Sequence, residues 1–280
     1  DHCLSPLYQS ETKRDLHMIL PQSDETGNSV IRALKEFLSQ MTNLKEITFC
    51  FKTAKVIDKN IIAFTNHIIP YLNGIKSFTL DLSGIPATDE TIETLFIKMS
   101  NFVHNLKTIN LHLDHTRITD QSVQAFANFT LPSLLNLREF CLTLAGTNVT
   151  DFGAEQLSKH MNSNFKLVEK FKLTLNDTLV SDQTLMGLLE NSFSFMLSPK
   201  GFVLMLNNTM VTDACLEALM SYLKCKLDTL KAFALNFEGT CISDEKLRGL
   251  VTYVASPEEI SECVDVYRMV YKNPVYERIL

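Results

Sequence analysis

With 280 residues, a hydrophobic fraction of 45% and a mean hydropathy of +0.04, the chain carries enough apolar material to fold around a large core. A formal net charge of −6 and a pI near 5.7 exclude the strongly basic footprint of a nucleic-acid-binding domain. No run reaches the roughly 18–20 consecutive apolar residues of a membrane-spanning helix, so neither nucleic acid nor a membrane is expected as a partner.

Residues 1–13 precede any regular pattern and are expected to be an N-terminal cap or a linker; the chain opens at Asp1 without a methionine or a signal-type apolar segment, which fits a numbering that begins inside a longer or processed polypeptide. A half-kept strand-helix unit follows, with Leu16, Met18 and Leu20 at strand spacing, then Val30, Ala33 and Leu34 on a helix. From there the sequence repeats. Asp58, Asp89, Asp120, Asp151, Asp182, Asp213 and Asp244 are each separated by 31 residues, with no insertion or deletion.

Ahead of each Asp lie three apolar positions at period two, such as Ile47, Phe49 and Phe51, or Phe140, Leu142 and Leu144. That alternation predicts a strand with one buried face. After each Asp the period becomes helical: Ile61 and Phe64, Ile92 and Leu95, Val123 and Phe126, Ala154 and Leu157, Leu185 and Leu188, Leu216 and Leu219, Leu247 and Leu250. The same face continues through Ile68, Met99, Met161, Leu223 and Val254, with Thr130 and Ser192 as polar exceptions. The Asp column reads as seven helix caps, each accepting bonds from free backbone N–H groups at the positive end of its own helix. One strand-helix unit cannot bury its apolar face alone, so about eight units must stack, with parallel strands on the concave side and helices on the convex side. The expected fold is an α/β solenoid in horseshoe form over residues 14–255.

The run Leu137-x-x-Phe140-x-Leu142-x-Leu144-x-x-Thr147-x-Val149-Thr150-Asp151-Phe152-Gly153 resembles the leucine-rich repeats of the ribonuclease-inhibitor type. The sequence departs from that pattern by one extra apolar step in the strand, by Thr at the usual Asn position (Thr116, Thr147, Thr178, Thr209, Thr240), and by a Gly after the Asp in one repeat only. The resemblance implies a binding scaffold, in some members carried beside a kinase, a ubiquitin-ligase adaptor or a GTPase-activating activity.

Residues 256–280 leave the register. Ser256-Pro257 begins a helix on which Ile260, Cys263, Val264, Tyr267, Val270 and Tyr271 share a face, before Pro274 stops it; this is expected to cap the solenoid or to dock a partner.

Two groups of residues are candidates for partner binding. The first is the column Lys45, Lys76, Lys107, Arg138, Glu169, Lys200 and Lys231, spaced by 31, in which like charges on neighbouring strands call for an acidic partner segment. The second is the outward strand face, with Asn110 and Lys172 in one column and His112, Thr143, Thr174, Met205 and Asn236 in the next. The partner is expected to be another protein with an acidic segment. His112, Asp114 and His115 form an HxDH run, but alternate residues of a strand point oppositely, which argues against a metal site.

Asn128, Asn148, Asn176 and Asn207 each begin a sequon, and three of these arise partly because Thr recurs at the strand-to-helix turn. Cysteines at 3, 50, 141, 215, 225, 241 and 263 are odd in number, scattered and without a CxxC pair, which fits reduced thiols in a cytoplasmic setting. With no Gly-rich phosphate loop and no GxSxG elbow, neither a cofactor nor an enzymatic activity is expected. The reading is a protein-interaction scaffold; the alternative is a structural subunit of a large assembly or, less favoured, a GTPase-activating regulator.

Overall fold

The computed structural model describes residues 15–19, 26–41, 44–51, 58–161, 163–226, 229–230, 232–254 and 268–272. Strands β1 (Asp15–Ile19), β2 (Glu46–Cys50), β3 (Ser77–Asp81), β4 (Thr108–His112), β5 (Glu139–Thr143), β6 (Lys170–Thr174), β7 (Gly201–Met205) and β8 (Ala232–Asn236) follow one another in a single open sheet. Each pairs in parallel with the next, and every register partner is 31 residues on, as in Leu16↔Ile47 and Phe140↔Phe171. Between them run α1 (Thr26–Gln40), α2 (Asp58–His67), α3 (Asp89–Met99), α4 (Asp120–Ala125), α5 (Asp151–Met161), α6 (Asp182–Asn191) and α7 (Leu216–Lys226), with α8 (Asp244–Val254) after β8. This is an α/β leucine-rich-repeat solenoid, with eight strand-helix units among the described residues.

The inward strand columns and the inward helix stripes meet in one continuous core, with Phe49, Leu80, Leu111, Leu173, Leu204 and Leu235 fully buried. Phenylalanines make its spine. Phe171 stacks on Phe140 and on Phe202 with ring centroids 5.6 Å apart in both directions, and Phe193 meets it edge-on at 5.0 Å. The two polar exceptions on the helix stripe are satisfied across repeats: the Thr130 hydroxyl donates to the Phe96 carbonyl at 2.8 Å, and that of Ser192 to the Ser158 carbonyl at 3.2 Å. Around Thr130 the fourth helix loosens into a π-turn over Phe126–Thr130.

The Asp column is a correction. Six of the seven Asp are the first residue of their α-helix and Asp213 opens a 3-10 turn just before α7, and in four repeats the residue before the Asp forms the cap: the Thr119, Thr150, Ser181 and Thr212 hydroxyls accept from the backbone N–H of Gln121, Phe152, Gln183 and Ala214. The carboxylates reach the next repeat instead. Asp120 accepts the Thr150 N–H at 2.7 Å through one oxygen and the Thr150 hydroxyl at 2.6 Å through the other. The same pair of bonds links Asp58 to Thr88, Asp182 to Thr212 and Asp213 to Ser243. Asp89 and Asp151 each take two more, from Ser122 and from Thr184. The Thr119, Thr150, Ser181 and Thr212 hydroxyls thus accept from their own helix and donate backwards, so the column joins one repeat to the next.

These bonds carry a pH signature. Burial pushes the Asp151 carboxyl up, but the hydrogen bonds from Ser181 and Thr184 together outweigh it and hold it below its ordinary value; the Ser243 bonds do the same for Asp213. A carboxylate with a lowered folded pKa contributes stability that is full above its unfolded value, near pH 4, and is lost as pH falls through the folded value. The melting temperature, followed by circular dichroism from pH 7 to pH 3, is therefore expected to hold until about pH 4 and then fall; a flat profile to pH 3 would remove the carboxylates from the stability argument.

A second column governs the turns. Gly84, His115, Gly146, Asp177, Asn208 and Gly239, again 31 residues apart, hold φ between 53° and 75°. Their N–H groups continue the ladder, as in Gly146 to the Asn176 carbonyl at 2.8 Å. At Gly146 a Cβ would lie 2.3 Å from Nδ1 of His115, so glycine leaves room for the imidazole at a φ that side chains rarely adopt. Gly146→Ala is expected to cost about 1–3 kcal/mol, from left-handed strain plus displacement of the imidazole; urea unfolding measures it, and a loss under about 0.5 kcal/mol would mean that the turn rearranges freely.

The C-terminal expectation is corrected in part. Arg268–Lys272 forms β9, antiparallel to β8 with Leu235↔Met269 and Phe233↔Tyr271 in register, where a helix was expected to run through Val270 and Tyr271. A short run of aromatic and branched residues serves a strand as well as a helix, and the unpaired edge of β8 supplies the partner. The rest of that expectation, with Ile260, Cys263, Val264 and Tyr267, lies outside the described residues, as do residues 1–13.

Candidate functional site

The cationic column lies immediately before the strands, and its backbone is part of the ladder. The Lys45 carbonyl accepts from the N–H groups of Lys76 and Ser77, and the Lys76 carbonyl accepts from those of Lys107 and Thr108. This fixes successive side chains at the strand spacing of about 4.8 Å along one rim of the sheet. Lys45, Lys76, Lys107 and Arg138 are exposed on it; Lys231 lies outside the described residues.

The rim divides into two halves. Glu169 stands between two cations: its Oε1 accepts from Arg138 Nη1 at 3.2 Å and its Oε2 from Lys200 Nζ at 2.5 Å. The Lys200 hydrogen bond, offset by slight burial and aided by the Arg138 charge, holds the Glu169 carboxyl below its usual range. In the adjacent column Lys170 and Glu139 pair at 2.8 Å. Arg138 and Lys200 are therefore both paired within the chain, sharing the one Glu169 carboxylate, whereas Lys45, Lys76 and Lys107 make no ion pair among the described residues. Exposed leucines precede the paired half. Leu135 is 60% exposed, Leu167 43% and Leu197 65%, each two or three residues ahead of Arg138, Glu169 or Lys200, with Lys166 exposed beside Leu167. The sequence reading missed them because they stand outside the inward columns; the signal was that Leu135 and Leu197 lie 62 residues, two repeats, apart.

No family model matches this sequence, and no curated protein does. Among solved structures, the chain is similar to the crystal structure of an internalin (inlF) from Listeria monocytogenes str. 4b F2365, at 16% identity and a TM-score of 0.39. The match covers 78% of this chain and 54% of that one, so the chain spans about half the length of that protein.

The outward strand face is more closed than its composition suggests. Thr143 and Thr174 are buried, and Thr143 donates its hydroxyl to Asp114 at 2.7 Å while standing 3.2 Å from His112 Nδ1. Asn110 donates to Thr79 at 3.0 Å, Asn236 accepts from the Glu238 N–H at 3.0 Å, and Met205 is half-buried. Of this group Lys172 is the exposed residue. Beside it, burial pushes the Cys141 thiol up to about 11 against the pull of Lys172, so it is protonated at neutral pH. The cysteines at 50, 141, 215, 225 and 241 are free thiols.

The HxDH run resolves into three structural roles. His112 contacts Thr143, Asp114 accepts from Thr143 and from the Ala145 N–H at 2.7 Å, and His115 holds the left-handed turn. Two sequon asparagines likewise belong to the ladder, with Asn176 Oδ1 accepting the Asn207 N–H at 2.9 Å. No helix among the described residues is long and apolar enough to cross a membrane.

Proposed function

We propose that the chain is a protein-interaction scaffold, in a reduced cytoplasmic setting, whose strand-start rim binds an acidic segment of another protein. The observation that supports this is the contrast within one column: where Glu169 is present the cations are paired internally, and where it is absent Lys45, Lys76 and Lys107 stack at the strand spacing without an opposing charge in the column. An acidic partner supplies what Glu169 supplies two repeats further on. The binding set contracts accordingly, from the whole column and outward face to Lys76 and Lys107 at its centre, with Lys45 beside Glu46.

Affinity purification from the native source, with wild type and a Lys76→Glu/Lys107→Glu variant, tests this. The partner is expected to be retained by wild type at low salt, to fall away as salt rises, and to be lost by the variant, with a weakening of about tenfold or more and an unchanged melting temperature. Retention by the variant would overturn the basic-rim reading; a stoichiometric partner that survives both salt and charge reversal would favour the structural-subunit reading.

A further inference from the structure

We infer that Asn73–Gly74 is a site of spontaneous chemical modification, at which the Asn73 carboxamide passes through a succinimide to aspartate and isoaspartate beside the lysine half of the rim. Asn73 is the one asparagine of the sequence that a glycine follows. The pair is exposed, in the turn between the 3-10 helix Ile69–Tyr71 and β3.

The reaction requires the backbone nitrogen of the following residue to reach the asparagine Cγ, and here the fold leaves that nitrogen free. The Gly74 N–H donates to no acceptor among the described residues. Gly74 holds φ at 88°, and a Cβ built on it would meet nothing within 4 Å, so the glycine can rotate without striking a neighbour. The Asn73 carboxamide is held back by a bond from Nδ2 to the Pro70 carbonyl that is long, at 3.3 Å.

Elsewhere the ladder ties the corresponding nitrogen down. After Asn176, the Asp177 N–H donates to the Asn207 carbonyl at 2.8 Å; after Asn207, that of Asn208 donates to the Glu238 carbonyl at 2.7 Å; after Asn191, that of Ser192 donates to the Leu188 carbonyl at 3.0 Å. A nitrogen committed in this way must break its bond before it can attack.

In the first step the Gly74 nitrogen bonds to Asn73 Cγ and the Cγ–Nδ2 bond breaks; Nδ2 leaves as ammonia with the proton that Gly74 gives up. Water then opens the five-membered imide at one carbonyl to give aspartate, or at the other to give isoaspartate, whose backbone runs through Cγ. One water is consumed and one ammonia released, with no change of oxidation state, and either product is a carboxylate. Position 73 lies at most about 11 Å from Lys76 between Cα atoms, close to one screening length at physiological salt. The Lys76 N–H, bonded to the Lys45 carbonyl at 2.6 Å, keeps β3 in register and confines the change to the turn. The effect on the rim rests on the proposed binding of an acidic segment there; the modification itself does not.

The full chain is incubated in mildly alkaline buffer, folded or unfolded in guanidinium chloride, beside an Asn73→Gln variant. Isoaspartate is labelled with an isoaspartate-specific methyltransferase and mapped by peptide mass spectrometry. In the folded chain Asn73 is expected to react about tenfold faster than Asn176, Asn191 or Asn207, at a rate within about threefold of its unfolded rate, and the Asn73→Gln variant is expected to lose this product. Suppression of the Asn73 rate by about tenfold or more on folding, or equal labelling at the other three asparagines, would overturn the inference.

The charge is read separately with a fluorescent hexaglutamate peptide. Asn73→Asp is expected to weaken its binding about twofold at low salt, and not at high salt. If Asn73→Asp has no effect while Lys76→Glu/Lys107→Glu abolishes binding, the consequence for the rim falls and the proposed function stands. If neither variant alters binding, the basic-rim reading falls, and labelling at Asn73 still decides the modification.

Discussion

Asp151→Ala is expected to lower stability by about 2–4 kcal/mol and to split or broaden the thermal transition. The Asp151 carboxylate accepts four hydrogen bonds from the next repeat: the Ser181 N–H at 2.8 Å and hydroxyl at 2.6 Å, and the Thr184 N–H at 3.2 Å and hydroxyl at 2.5 Å. Thr184 is buried, so without the carboxylate its hydroxyl and its helix-start N–H lose their acceptor; leaving such donors unmade costs about 1–3 kcal/mol per group, partly relieved where water enters beside the half-exposed position 151. In a solenoid this loss falls on the contact between α5 and α6 and leaves the other joints intact, so the two halves are expected to melt less cooperatively. Asp151→Asn, which keeps one acceptor oxygen, should recover part of the loss. Calorimetry on the three proteins checks this, and a single unshifted transition for Asp151→Ala would show that the column contributes nothing across repeats.

Phe171→Ala should have the largest effect, about 3–5 kcal/mol, because the ring is fully buried and contacts neighbours on both sides of its own repeat. It lies 5.6 Å from both Phe140 and Phe202 and 5.0 Å from Phe193, so truncation opens a void between repeats five, six and seven that no single side chain can fill. Phe171→Leu, which keeps most of the volume but loses the stacking, should cost roughly half as much. Chemical denaturation of the pair would measure the difference. Equal losses would mean that volume alone, and not ring stacking, holds this layer.

The strand and helix faces were legible because periods of two and 3.6 reveal themselves within a dozen residues, and the period of 31 then placed every repeat from Asp58 onward in register. The role of Asp58 through Asp244 was misread because a carboxylate near a helix start has a sufficient local explanation, while its actual bonds span 30 residues. A companion column, Thr88, Thr119, Thr150, Ser181, Thr212 and Ser243, stands one residue before each Asp from the second on, and carried the missing information. The left-handed turn column hid because Gly84, His115, Gly146, Asp177, Asn208 and Gly239 share a backbone conformation and no side-chain chemistry. The candidate site was half legible: the cations could be counted, but which of them Glu169 had already satisfied depends on how far the side chains reach across strands.

The reversed direction of β9 has a consequence for how copies of the molecule behave toward one another. Had the sheet ended on β8, its last edge would have offered the same slanted, evenly spaced donors and acceptors that each repeat offers the next, and β1 of a second copy could have taken that place, copy after copy, into an open fibre. The antiparallel β9 occupies those donors and acceptors, so β1 of a second copy cannot take that place on β8. One five-residue segment therefore covers, among the described residues, the edge on which parallel stacking of like units would otherwise continue.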